Sequence, residues 1–156
     1  MSCDAVAFAA SLWLASTTAT PPAAAPPTLT TPPSVASEPL FVGIVQRAGK
    51  LKAETKAYES APLGGGVDQL KDFPAFESEV AELSSLDMQG HVELVSRGYT
   101  DDLKCILKGI SQDLPVKLKA MEAANDARSR HAALEDMFYL LRDNVEVITA
   151  PPQPAA

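Results

Sequence analysis

Apolar residues recur at three- and four-residue intervals through most of residues 39–149. That is the period of a helix buried along one side. The first run is Phe41, Ile44, Ala48, Leu51, Thr55 and Tyr58, with Arg47, Lys50, Lys52, Glu54, Lys56 and Glu59 mostly away from it. It predicts a helix that opens near Glu38 or Pro39, since proline suits a first turn. Pro62 and the glycines Gly64, Gly65 and Gly66 end it in a flexible connection. The second run is Phe76, Val80, Leu83, Asp87, Gly90 and Leu94, with Phe73, Leu86 and Val95 beside it. It predicts a helix over 72–96, capped by Asp72 and closed by Arg97 and Gly98. Ser84, Ser85, Asp87 and Gly90 are poor interior residues, so a kink or short break is expected at 87–90. Gly49 and Gly109 weaken their helices or mark close approach of a neighbour.

Thr100 or Asp101 caps a third helix whose apolar face is Leu103, Ile106, Leu107, Ile110 and Leu114. Beyond it, two divisions compete. Pro115 can end that helix, with Ser111, Gln112 and Asp113 capping a new one. One stripe then runs over 116–148 through Ala120, Ala124, Ala127, His131, Leu134, Phe138, Leu141, Val145 and Ile148. Alternatively Pro115 lies inside a helix over 100–123, and a turn at Asn125 and Asp126 opens a fourth over 126–148. The second division is favoured, because helices of near-equal length pack without overhang. The expected fold is all-α: an up-down-up-down four-helix bundle over 39–149 with disordered segments at both ends.

The ends differ from the middle in composition. Residues 6–15 form an apolar run containing Phe8, Leu12, Trp13 and Leu14, too short to span a bilayer. Residues 1–15 have the length of a signal peptide, but Asp4 is the one charged side chain before the core of that run. Secreted or periplasmic placement and a retained apolar tip on a cytoplasmic protein both stay open. Residues 16–38 are rich in Ala, Thr, Ser and Pro and offer no large side chains to offset ordering entropy, which predicts a disordered tether. Residues 150–156 read as a disordered tail.

Charge narrows the partners. With 20 acidic and 13 basic residues, the formal net charge is −7. Nucleic acid demands a concentrated basic surface, so it is not an expected partner. Two cysteines, Cys3 and Cys105, are too few for a disulfide framework. Cys105 reads as a small core or half-buried residue of the third helix, in preference to a bridge to Cys3 that would pin the N-terminal segment to the bundle. The triple glycine lacks the Lys–Ser/Thr pair and preceding strand of a phosphate loop. Glu77, Glu79, Glu82, Asp101, Asp102 and Asp113 fall on helix faces without a pocket context, and Ser111 and Ser129 have no recognisable base. No catalytic residue, cofactor or metal is assigned.

The reading that remains is a non-enzymatic interaction or accessory bundle with a protein partner. Two alternatives accompany it: a secreted or periplasmic binder of a small apolar ligand such as a lipid, and a non-covalent haem or metal bundle. The last would use His131 in the stripe, with Met88, Met121 or Met137 opposite, or His131 facing His91. Small residues at Ala48, Gly90, Ala120, Ala124 and Ala127 mark close packing or, in the ligand reading, a cavity. Candidate ligand or interface residues are His131, Phe138, Tyr139, Phe73, Phe76 and Tyr99, and the expected surface anchors are Tyr99, Phe73, Tyr139 and Leu140. Arg128, Arg130, Glu135, Asp136 and Arg142 are expected on a charged outer face.

Overall fold

The computed structural model describes residues 34–61, 66–67, 70–99 and 102–150. The apolar tip at 1–15, most of the tether, Pro62, Gly64, Gly65, the caps Thr100 and Asp101, and the tail beyond 150 lie outside the described residues. Four helices account for most of the rest: α1 Pro39–Glu59, α2 Phe73–Ser96, α3 Leu103–Ala123 and α4 Ala127–Thr149. No strand occurs among the described residues. Pro39 stands in the first turn of α1, as its missing N–H allows.

Side-chain pairs set the helix directions. Arg47 reaches Glu82 at 2.8 Å and Lys50 pairs with Glu79, so α2 descends as α1 ascends. The pairs Ser84–Ser111 and His91–Lys104 give α2 and α3 the same antiparallel relation. Three residues join α3 to α4, and Lys117 meets Asp136 at 2.8 Å across them. α1 also packs on α4, which closes the ring and leaves α2 and α4 at opposite corners. This is an all-α four-helix bundle.

The buried face of α1 is the predicted one in full: Phe41, Ile44, Ala48, Leu51, Thr55 and Tyr58. Thr55 fits there because its hydroxyl donates to the Leu51 carbonyl at 2.8 Å. The predicted face of α2 is buried too, joined by Phe73. The expected break at 87–90 does not occur, and α2 is continuous. Asp87 and Gly90 weaken the isolated helix, but tertiary packing uses both. A Cβ on Gly90 would meet Leu107 Cδ1 at 3.1 Å and Ile44 Cδ1 and Phe41 Cε1 at 3.4 Å. The missing side chain lets three neighbours close onto the backbone. Gly49 and Gly109 serve no such purpose: nothing lies within 4 Å of where their Cβ would be.

Pro115 lies inside α3, as the four near-equal helices required. A proline leaves the carbonyl four residues earlier without its helical donor. Here that carbonyl belongs to Ser111, and Ser84 Oγ of α2 donates to it at 2.8 Å. The neighbouring helix therefore supplies the hydrogen bond that the proline removes. The buried face of α3 includes Leu103, Leu107, Ile110 and Leu114 as expected, and adds Lys104, Ser111 and Met121. Ile106 is half-buried. Lys104 is tolerated because its ammonium donates to the Tyr99 carbonyl at 2.7 Å while its stem lies in the core.

The long stripe over 116–148 is broken at 124–126. Asp126 starts α4 with a reciprocal capping box: its carboxylate accepts from the Arg128 and Ser129 amides, and Ser129 Oγ accepts from the Asp126 amide. Those hydrogen bonds hold the Asp126 carboxyl below its ordinary range. The break frees α4 to choose its own phase. Its buried residues are Arg130, Ala133, Leu134, Met137, Leu141, Asn144 and Ile148. At 100° per residue, the true face is rotated by roughly 60° from the stripe that includes His131, Phe138 and Val145. Arg130, expected outside, is 5% exposed with its Nε unpartnered, whereas His131, expected in the stripe, stands outside. Ala120 and Ala127 are exposed as well, so they line neither a helix crossing nor a cavity.

Packing also reaches past the helices. Val35 is buried, although the tether was expected to run to residue 38, and the Glu38 amide donates to its carbonyl at 2.9 Å. Glu38 then pairs with Arg97 at 2.8 Å. In the α1–α2 connection Val67 is buried, and Tyr58 Oη donates to the Lys71 carbonyl at 3.0 Å. Asp72 precedes α2 but makes no capping bond. Its φ of 58° is a left-handed turn, which aspartate tolerates better than most residues. Asp102, at the same place before α3, also makes no capping bond. Gly98, at φ 68°, ends α2 in the left-handed geometry that glycine adopts without cost. Cys105, read as a plain half-buried residue, is half-buried and disulfide-bonded. The sequence supplies one other cysteine, Cys3, outside the described residues.

Candidate interaction face

The six candidate site residues do not form one site. Phe73 and Phe76 are 3% and 1% exposed and belong to the core. They pack with Tyr58: Phe73 stacks on Phe76 at 5.9 Å, and Tyr58 meets Phe76 edge-on at 5.4 Å. Burial pushes the Tyr58 hydroxyl up to about 12, which keeps it a neutral donor to Lys71. Tyr99 is half-buried against the core at the opposite end of α2, and Leu140 is half-buried too.

His131, Phe138 and Tyr139 do share a surface. The rotation of α4 turns His131 and Phe138 outward to join Tyr139, with His131 and Tyr139 exposed and Phe138 half-buried. Phe138 and Tyr139 are adjacent in sequence, and their rings meet edge-on at 5.9 Å and 74°. Arg142 lies one turn on, and its guanidinium carbon sits 4.7 Å from the Tyr139 ring centroid. Arg142 also bonds Asp143 at 2.9 Å. Across the α1–α4 seam, Lys56 Nζ lies 5.8 Å from the Phe138 centroid and pairs with Glu59. The result is a partly exposed aromatic pair between two cations, each cation held by its own carboxylate. Cation–π contacts at such sites contribute about 0.5–1 kcal/mol each. Their larger effect is to hold the rings in place.

The two histidines do not face each other. His91 is half-buried near the C-terminal end of α2, where its Nδ1–H donates to the Lys104 carbonyl at 2.6 Å. His131 is exposed near the start of α4. Among the described residues, no group of three or more His, Cys, Asp or Glu side chains could hold a metal ion. Nor is any helix among them long and apolar enough to cross a membrane.

Sequence reasoning missed the most unusual polar contact. Asp87 and Asn144 are fully buried, and Asn144 Nδ2 donates to Asp87 Oδ2 at 2.6 Å across opposite corners of the bundle. Asp87 fell on the predicted face of α2. Asn144 carried no signal, because the misphased stripe placed Val145 inward in its stead. No known protein-family model, curated protein or solved structure matches this chain.

Proposed function

We propose that this chain is a non-enzymatic interaction or accessory module that docks a protein partner on the outer face of α4. The observation that carries the reading is Tyr139, 44% exposed yet fixed between Phe138 and Arg142. The other large apolar side chains that stand exposed among the described residues are Val92, Val95 and Val116, all aliphatic. Tyrosine and arginine contribute disproportionately to binding energy at interfaces. A ring already held by its neighbours loses less rotamer freedom when a partner covers it.

The test is site-specific photocrosslinking in the full chain, with the probe at Tyr139 or, as a control, at exposed Lys119 of α3. The expected result is a protein adduct of one defined mass from position 139, lost with Arg142→Ala, and none from position 119. Equal adducts from both positions, or none from 139, overturn the proposal. Native mass spectrometry of the same protein addresses the apolar-ligand reading: a co-purifying lipid mass would replace a protein partner with a small ligand. The filled space around Gly90 supports the interaction reading over a cavity there.

The disulfide sharpens the question of residues 1–15. Cys105 is disulfide-bonded, and the sequence carries its other cysteine, Cys3, within that segment. A leader cleaved after residue 15 would take Cys3 with it. Intact mass and N-terminal sequencing of the mature protein separate the two outcomes.

A further inference from the structure

Three acceptor atoms meet one donor group at the Asp87–Asn144 contact. Asp87 offers two carboxyl oxygens and Asn144 one carbonyl oxygen, and the Asn144 amide group donates to Asp87 Oδ2. Asp87 Oδ1 and Asn144 Oδ1 are both buried and have no partner. A carboxylate cannot remedy this, because it only accepts. Two buried acceptors without a donor are costly in a low-dielectric core. One proton on Asp87 resolves both. A carboxylic acid then donates from one oxygen to the Asn144 carbonyl while its other oxygen accepts from the Asn144 amide, a closed acid–amide pair.

Among the described residues no cation pairs with Asp87, and those of the four helices are engaged or placed elsewhere. On α1, Arg47 and Lys50 are on the surface, bound to Glu79 and Glu82. On α3, buried Lys104 donates to Tyr99, and Lys108 has an interaction of its own. On α2, His91 is committed to the Lys104 carbonyl. On α4, Arg142 pairs with Asp143, and Arg130 lies near the other end of that helix.

We propose that the fold carries Asp87 as a neutral carboxylic acid closed onto Asn144, and that loss of this proton is a built-in pH sensor that loosens the α2–α4 contact across the bundle. Burial pushes the Asp87 carboxyl up to about 7, against the smaller opposing effect of the Asn144 bond. The sign follows from linkage. The folded chain holds a proton that the unfolded chain has released, so the folded state weakens as pH rises. The stabilisation is complete in acid below the ordinary carboxylate range and is lost as pH climbs to about 7. Most structural carboxylates act in the opposite direction.

The test compares the full chain with Asp87→Asn, which keeps the shape and can form an amide–amide pair but cannot titrate. Denaturant unfolding is followed from pH 4 to pH 8. The wild-type folding constant is expected to fall about tenfold per pH unit between the ordinary carboxylate range and neutrality, relative to the variant. Equal pH slopes in both proteins overturn the proposal. The wild type alone gives a second reading through the Asp87 13Cγ resonance in the folded protein. A titration midpoint near neutrality supports the neutral acid, and an ordinary carboxylate midpoint or full ionisation in acid overturns it.

Discussion

Where α1 ends and α2 begins, Tyr58, Phe73 and Phe76 pack ring against ring, whereas further along α2 the core holds a carboxyl group, an amide and a glycine. Both regions are buried, but they specify the fold differently. The aromatic end is held by area and shape, which tolerate small errors of register. The polar end is held by complementarity: one donor for one acceptor, one absent side chain for three neighbours. A helix that slid by a turn would still bury rings at one end, but it would strand Asp87 at the other. The polar pair thus contributes a good deal of uniqueness, together with a stability that depends on pH.

The contrast can be broken or sharpened by experiment. Phe76→Ala removes a fully buried ring from the aromatic cluster and is expected to cost about 3–5 kcal/mol, equally at acid and neutral pH. Denaturant titration at both pH values checks this, and a pH-dependent cost would blur the distinction between the ends. The polar end has a pH-dependent effect of similar size. As Asp87's folded value is about 7 against 3.8 ordinarily, the wild type should lose about 1.4 kcal/mol per pH unit across that window, up to about 4 kcal/mol. The double variant Asp87→Leu/Asn144→Leu should abolish that slope and be near-neutral or stabilising at pH 7, while Asn144→Ala alone costs about 1–3 kcal/mol. Thermal melts of the three proteins distinguish these outcomes.

Smaller effects test how the helices are joined. Ser84→Ala removes the donor that serves the Ser111 carbonyl and should cost about 1 kcal/mol. In a Pro115→Ala background α3 regains its own donor, so the Ser84 effect should shrink. A double-mutant cycle reads that coupling, and independent effects would show that α2 does not complete α3. At the surface, Glu82→Gln breaks the ion pair to Arg47 and should change stability by less than about 1 kcal/mol, with the difference fading in high salt.

Legibility followed the same division. The faces of α1 and α2 could be read from spacing alone, because each helix begins and ends on local signals such as Pro39 and Gly98 and nothing shifts the phase between. α4 was harder. Ala120, Ala124 and Ala127 continue the spacing across the turn at 124–126, and alanine occurs as readily on a surface as in a core. Reading them as apolar anchors rotated the face enough to exchange Arg130 with His131 and Val145 with Asn144. On the interaction face, Phe138 and Tyr139 were legible as aromatics, while their flanking cations Arg142 and Lys56 come from one turn away and from another helix.

The sequence by itself determined an all-α chain and the extent and faces of its first two helices, and it favoured the division of the rest into two more, because period and capping are local properties of a chain. Only the tertiary structure decided the phase of α4, the continuity of α2 through Asp87 and Gly90, and the acceptance of Pro115 within α3. Each of these depends on a partner from another helix: Asn144 for Asp87, three apolar side chains for Gly90, and Ser84 for the carbonyl that Pro115 leaves open. A weak local preference costs about 1 kcal/mol, and one well-placed contact across the core is enough to reverse it.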